Sequence, residues 1–115
     1  MDREESTRQQ KVGRQIQKDI SDIFLKEARH LVQGVMVTVS KVRVSPDLTF
    51  AKVYLSIFPF DKGETTLATL KENIPMIRYE LGKRVRNQLR TVPEVAFALD
   101  DSLEYVDRIE KLIKA

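Results

Sequence analysis

The sequence has no cysteine and no tryptophan. Without thiols it can form neither a disulfide nor a thiolate metal site, so nothing in it requires an oxidising compartment. Histidine is almost as scarce: His30 stands alone at the end of a helical pattern, where a helix-terminal or surface place suits it better than catalysis. With no second histidine and no cysteine, no nucleophile–base constellation can be assembled. The four glycines, Gly13, Gly34, Gly63 and Gly82, are far apart, which excludes a glycine-rich phosphate loop. No apolar run approaches the ~18 residues that span a bilayer, and polar Met1–Gln10 offers no signal-peptide core. These absences set an expectation of a cytoplasmic protein that is not an enzyme and has no cofactor, metal or membrane contact. Adjacent Asp100 and Asp101 precede a helical pattern and are read as caps, not as an acid–base or metal pair. Met36 and Met76 are read as packing residues.

What is present fits one domain of 115 residues, 42% hydrophobic and 32% charged. The net charge of +3 says little, but its distribution says more. Residues 71–92 carry six basic side chains against two acidic, whereas 93–115 carry three against six. One positive and one negative face are expected, and a polyanion is the natural partner of the first.

An apolar stripe of Val12, Ile16, Ile20 and Ile23 at helical spacing predicts a helix from Ser6 or Thr7 to Arg29, with residues 1–6 as a flexible tail. Alternating valines then predict a strand over Val35–Val44, with Val42 and Val44 inward and Lys41 and Arg43 outward. Ser45-Pro46-Asp47-Leu48 is a turn, because proline presets φ and the flanking Ser and Asp favour turn geometry. A second strand over Phe50–Phe58 completes a hairpin closed by Pro59. A short helix to Asn73, with Leu67 and Leu70 inward, precedes Pro75, which cannot continue it undisturbed. A second helix is predicted over Pro75–Thr91 on the stripe Ile77, Leu81, Val85, Leu89 and Val92, stopped by Pro93. Glu94–Leu99 is a third strand. Asp101 with Glu104 fits a capping box for a last helix that buries Leu103, Val106, Ile109 and Ile113. The order α-β-β-α-α-β-α predicts an α+β domain with helices packed on a sheet.

The helix 75–91 carries the functional expectation. Arg78, Tyr79, Gly82, Lys83, Arg86 and Arg90 share one flank, interrupted by the single acid Glu80. Four cations on about three turns can each neutralise a phosphate. Tyr79 offers a stacking ring, and Gly82 would let a sugar–phosphate backbone approach closely. Lys41, Arg43 and Lys52 on the outer strand face would extend the patch. Solvated surface charge explains many such helices, and Gly82 would equally serve close packing. From charge and spacing alone, RNA and DNA stay open as partners.

Three stretches narrow the choice. Val42-Arg43-Val44-Ser45-Pro46-Asp47-Leu48 with Ala51-Lys52-Val53-Tyr54, Ile77-Arg78 through Leu81-Gly82-Lys83-Arg84-Val85-Arg86 and Val92-Pro93-Glu94, and Leu99-Asp100-Asp101-Ser102-Leu103-Glu104-Tyr105 with Arg108-Ile109 together resemble the ribosome-binding factor A family. Arg14-Gln15-Ile16 in the first helix also fits, so the resemblance spans nearly the whole chain.

The resemblance implies a type II KH-like fold. It also implies binding to the 30S ribosomal subunit and its 16S rRNA during late maturation, including 5′-end processing of the precursor, with a link to cold adaptation. A monomer is expected, with ribosomal proteins and an assembly GTPase as further partners. In that family an interhelical kink with an Ala-x-Gly pattern replaces the KH Gly-x-x-Gly loop. Here the matching positions are Asn73-Ile74-Pro75, so the bend is expected from proline. Contact would then shift to Asn73, Arg78 and the basic flank, Arg84 included. A rival reading makes the protein an adaptor, with Asp101, Glu104, Asp107 and Glu110 facing a basic ribosomal protein. A small hydrolase is a third, for which the base and nucleophile are missing.

Overall fold

The computed structural model describes residues 5–114. Helix α1 spans Thr7–Leu25, and Ser6 begins it with a full capping box. The Ser6 hydroxyl accepts from the Gln9 amide at 3.1 Å, and the Gln9 side chain accepts from the Ser6 amide at 2.8 Å. Glu5 accepts from the Val44 amide at 2.8 Å, so Glu5 and Ser6, counted in the expected tail, belong to the fold. Residues 1–4 lie outside the described residues. The helix stops at Leu25, four residues before the expected end, and the chain continues through a 3-10 turn at Arg29–Leu31.

Strands β1 (Met36–Val44) and β2 (Phe50–Phe58) form the expected antiparallel hairpin, and β3 (Glu94–Leu99) lies parallel to β2. The sheet order is β1-β2-β3. Strand β1 contains one irregularity with a clear sequence cause. Val35, Val37 and Val39 alternate in one parity, Val42 and Val44 in the other, and no regular strand can bury both sets. The register shifts between Val39 and Lys41, leaving Ser40 as a bulge, and Val39, Val42 and Val44 all point into the core. At the turn, Asp47 Oδ1 accepts from the Ser45 hydroxyl and from both the amide and hydroxyl of Thr49, while Leu48 takes a left-handed φ of 65°.

Helices α2 (Gly63–Glu72) and α3 (Ile74–Val85) are separated by Asn73 alone. The interhelical break therefore exists, one residue wide. Pro75 sits in the first turn of α3, where its missing amide has no helical partner to lose. Asn73 is half-buried, its side-chain amide donating back onto the preceding turn, to the Thr69 carbonyl, at 2.8 Å. Helix α3 ends at Val85, six residues short of the expected Thr91. The apolar period continues to Leu89 and Val92, which do pack against the core, but as a turn and loop. The chain must reverse to set Glu94 beside Phe50, and that tertiary demand overrides the helical period.

One layer of three helices covers one face of the sheet. Ile16, Ile20 and Ile23 of α1, Val53 and Leu55 of β2, Leu70 of α2, and Ile77 and Leu81 of α3 meet between the layers, each fully buried. Burying each such side chain contributes roughly 1.5–3 kcal/mol. Helix α1 comes close to β1 because residue 13 is glycine: a Cβ there would lie 3.1 Å from the Val42 carbonyl oxygen. Side-chain amides of Gln9 and Gln17 donate to the carbonyls of Val44 and Val39, so the helix also caps part of the β1 edge.

The last helix, α4 (Ser102–Lys114), departs from expectation. Its apolar residues are not buried: Leu103, Val106, Ile109 and Ile113 are 60%, 50%, 38% and 76% exposed. The carboxylate that serves its start is Asp100, which accepts from the Ser102 amide and hydroxyl at 3.0 and 2.6 Å. Asp100 directly follows the strand, and its side chain reaches the backbone two residues on, as Asp does in turns. The expected pairing of Asp101 with Glu104 is replaced by this contact.

Candidate nucleic-acid interface

The cations expected on one helical flank have different destinations. Arg78 turns toward the loop before β3, donating from Nε to the Pro93 carbonyl at 3.0 Å and from an Nη to the Val92 carbonyl at 2.9 Å. Arg84 donates to Asp22 at 3.1 Å and to Glu27 at 2.8 Å, and its side chain is only 19% exposed. Both arginines hold the fold together. The hydrogen bond from Arg84 is the main reason the Asp22 and Glu27 carboxyls sit below their ordinary pKa values, against a smaller opposing effect of desolvation. Gly82 also serves packing: a Cβ there would meet a Val92 methyl at 3.0 Å.

Four members of the flank remain open to solvent. Tyr79 is 67% exposed, and the Lys83 ammonium lies 4.7 Å from its ring centroid and 3.3 Å from Glu80. Arg86 and Arg90 are exposed in the turn and loop after α3. They have basic neighbours that the apolar period of the first helix does not disclose. Lys11 borders a groove formed with Val12, Ile16, Val85, Gln88 and Leu89. Arg8 and Arg90 border the adjoining hollow, which shares the Gln88–Leu89 wall. The start of α1 and the end of α3 thus make one shelf with Arg8, Lys11 and Arg90 around it. On a helical wheel Arg8 and Lys11 fall about 60° apart, so the signal lay on the polar side of that helix.

Lys41, Arg43 and Lys52 do not extend the shelf. Strand alternation sets them on the sheet face turned away from the helices, opposite to inward Val42, Val44 and Val53. They form a separate basic surface around Tyr54. Asn73, with its amide turned onto Thr69, joins neither group. Among the described residues no cluster of three His, Cys, Asp or Glu side chains is placed to hold a metal ion, and no helix is long and apolar enough to cross a membrane.

Comparison with known proteins identifies the family. The family model described as ribosome-binding factor A matches residues 8–113. The chain is 46% identical over 112 residues to ribosome-binding factor A of Christiangramia forsetii, covering 96% of this chain and 86% of that protein. It is 41% identical over 111 residues to the Caldicellulosiruptor bescii protein of the same name, covering 92% and 81%. Among solved structures, the crystal structure of ribosome-binding factor A from Thermus thermophilus aligns with a TM-score of 0.66 at 21% identity, covering 79% of this chain and 94% of that one. A Thermotoga maritima structure solved by NMR aligns with a TM-score of 0.54 at 24% identity, covering 76% and 85%. These two likenesses bear on the fold, which is KH-like. With its family model matched from Arg8 to Ile113, the chain belongs to the ribosome-binding factor A family.

Proposed function

We propose that this protein is a non-catalytic assembly factor that binds the 30S ribosomal subunit through its 16S rRNA. In this reading it assists late maturation, including 5′-end processing of the precursor, acts as a monomer in the cytoplasm, and matters most in the cold. Ribosomal proteins and an assembly GTPase are its neighbours on the subunit. The observation that carries the reading is the family match over residues 8–113, with relatives that bear the name ribosome-binding factor A. The geometry supports it through the shelf of Arg8, Lys11 and Arg90, with Arg86 exposed just after the end of α3 and the Tyr79–Lys83 pair farther back along that helix. Arginine and lysine on phosphates fix position without reading bases, so the factor recognises the shape of folded RNA.

The adaptor reading loses support from α4 itself. Glu104 pairs with Arg108 at 3.8 Å and Asp107 with Lys111 at 3.2 Å, so two of the four acids that reading names are already answered within the helix. Changing Arg8, Lys11, Arg86 and Arg90 together to Gln is expected to weaken co-sedimentation with 30S subunits by about tenfold or more. It should also flatten the salt dependence of binding by up to about 3.6 in log–log slope, since each phosphate contact contributes about 0.9. Unchanged binding and slope would overturn the assignment.

A further inference from the structure

The sheet face turned away from the helices carries a constellation that a solvated strand surface does not need. The β1–β2 register sets Lys41 opposite Tyr54 and Arg43 opposite Lys52. The Lys41 ammonium lies 4.7 Å from the Tyr54 ring centroid and that of Lys52 lies 5.2 Å from it. One lysine approaches across the ladder and the other along β2, so two like charges converge on one ring. On the β3 side, Tyr54 pairs with Ala98 and Lys52 with Ala96, which are too small to cover the ring. Phe50, two residues before Lys52, is 40% exposed. Arg43 is only loosely tied, with Glu5 at 3.9 Å.

Tyr54 is half-buried, and a cation over such a partly open ring is held weakly enough to swing onto a phosphate at little cost. The ring it leaves can then take a base, because base–aromatic stacking accepts any base. Duplex RNA offers phosphates but no free base face, whereas an unpaired strand offers both. An acidic peptide would satisfy the cations but would have no use for the ring between them.

We infer that this open sheet face is a second RNA site, which stacks an unpaired base on Tyr54 and takes the flanking phosphates on Lys41, Lys52 and Arg43. The inference rests on the RNA-binding reading above and adds a ligand class to it: a single-stranded segment.

The test is a fluorescence titration of the full chain with a labelled six-nucleotide unpaired RNA and with a duplex of equal length. Tyr54→Ala should weaken the unpaired RNA by about 5-fold or more and leave the duplex unchanged. Tyr54→Phe, which keeps the ring, should bind the unpaired RNA like the parent chain. Lys41→Gln with Lys52→Gln should reduce the single-strand salt slope by about 1.4, at about 0.7 per phosphate. Circular dichroism of each variant establishes that it is folded. A folded Tyr54→Ala chain that binds unpaired RNA as the parent does would overturn the site. So would displacement of that RNA by polyglutamate equally well from the Tyr54→Ala and parent chains, which would mark the face as a dock for acidic protein. The shelf variant separates the two readings: if it loses 30S binding while Tyr54 has no effect, only the sheet site fails. If Tyr54 matters for the oligonucleotide and the shelf variant still binds 30S, the shelf assignment fails and the sheet site stands.

Discussion

Arg84 and Arg86 are two residues apart and carry the same charge, yet the fold gives them opposite roles. Arg84 clamps α3 to α1 through Asp22 and to the turn after α1 through Glu27, which lie 62 and 57 residues earlier in the chain. Arg86 is exposed beyond the end of α3. Arg84→Ala should therefore lower the melting temperature by a few degrees, whereas Arg86→Ala should leave it in place and weaken RNA binding. The pH dependence gives the sign. Asp22 and Glu27 have depressed pKa values, chiefly through the Arg84 hydrogen bond, so the clamp stabilises the fold above their ordinary values of 3.8 and 4.5. It is lost as pH falls through the lowered values. Thermal melts of parent and Arg84→Ala chains should thus differ at neutral pH and converge in acid; a difference that persists unchanged at about pH 2 would refute the clamp. That the flank is basic was legible in the sequence. Which arginine stays free was not, because the deciding acids belong to a distant part of the chain.

Elements were legible where period and punctuation agreed. The hairpin follows from Ser45-Pro46-Asp47-Leu48, and β3 from alternating Val95, Phe97 and Leu99. The bulge at Ser40 was latent in the parity change between Val39 and Val42. Helix α4 shows the opposite case: its amphipathic period specifies a helix correctly but says nothing of what covers the apolar side. A helix of 13 residues is marginal in isolation, so the Asp100 contact at its start has weight. Interactions with Ser102 are the leading cause that holds the Asp100 carboxyl down to about 2, from an ordinary 3.8. That contact stabilises α4 above pH 3.8 and is lost as pH falls through about 2. A chain ending at Asp101 should lose far-ultraviolet helical signal but keep its melting temperature, since every fully buried core side chain among the described residues lies before residue 100. A large fall in melting temperature would show that α4 packs on the domain in solution.

At the scale of the molecule, α4 makes the chain more extended than a compact domain of its length. The radius of gyration is 15.2 Å, against about 13 Å expected. The two basic surfaces face opposite ways, the shelf on the helical layer and the Tyr54 face on the bare side of the sheet, in a body whose shortest extent is 18 Å. A slab that is cationic on both faces is suited to lie between two RNA elements, where each face neutralises a different set of phosphates. This arrangement makes a quantitative demand. Sites that share no partner contribute additively to binding, usually within about 0.3–0.5 kcal/mol. Arg8→Gln with Arg90→Gln on the shelf and Lys41→Gln with Lys52→Gln on the sheet should therefore each weaken binding to 30S subunits. The combined variant should show the sum of the two losses in free energy, and the salt slopes should add likewise. If both faces instead served one RNA strand wrapped around the edge, loss of either would release the other, and the combined variant would fall well short of the sum. A sheet-face variant with no effect on 30S binding would show that only the shelf meets the subunit.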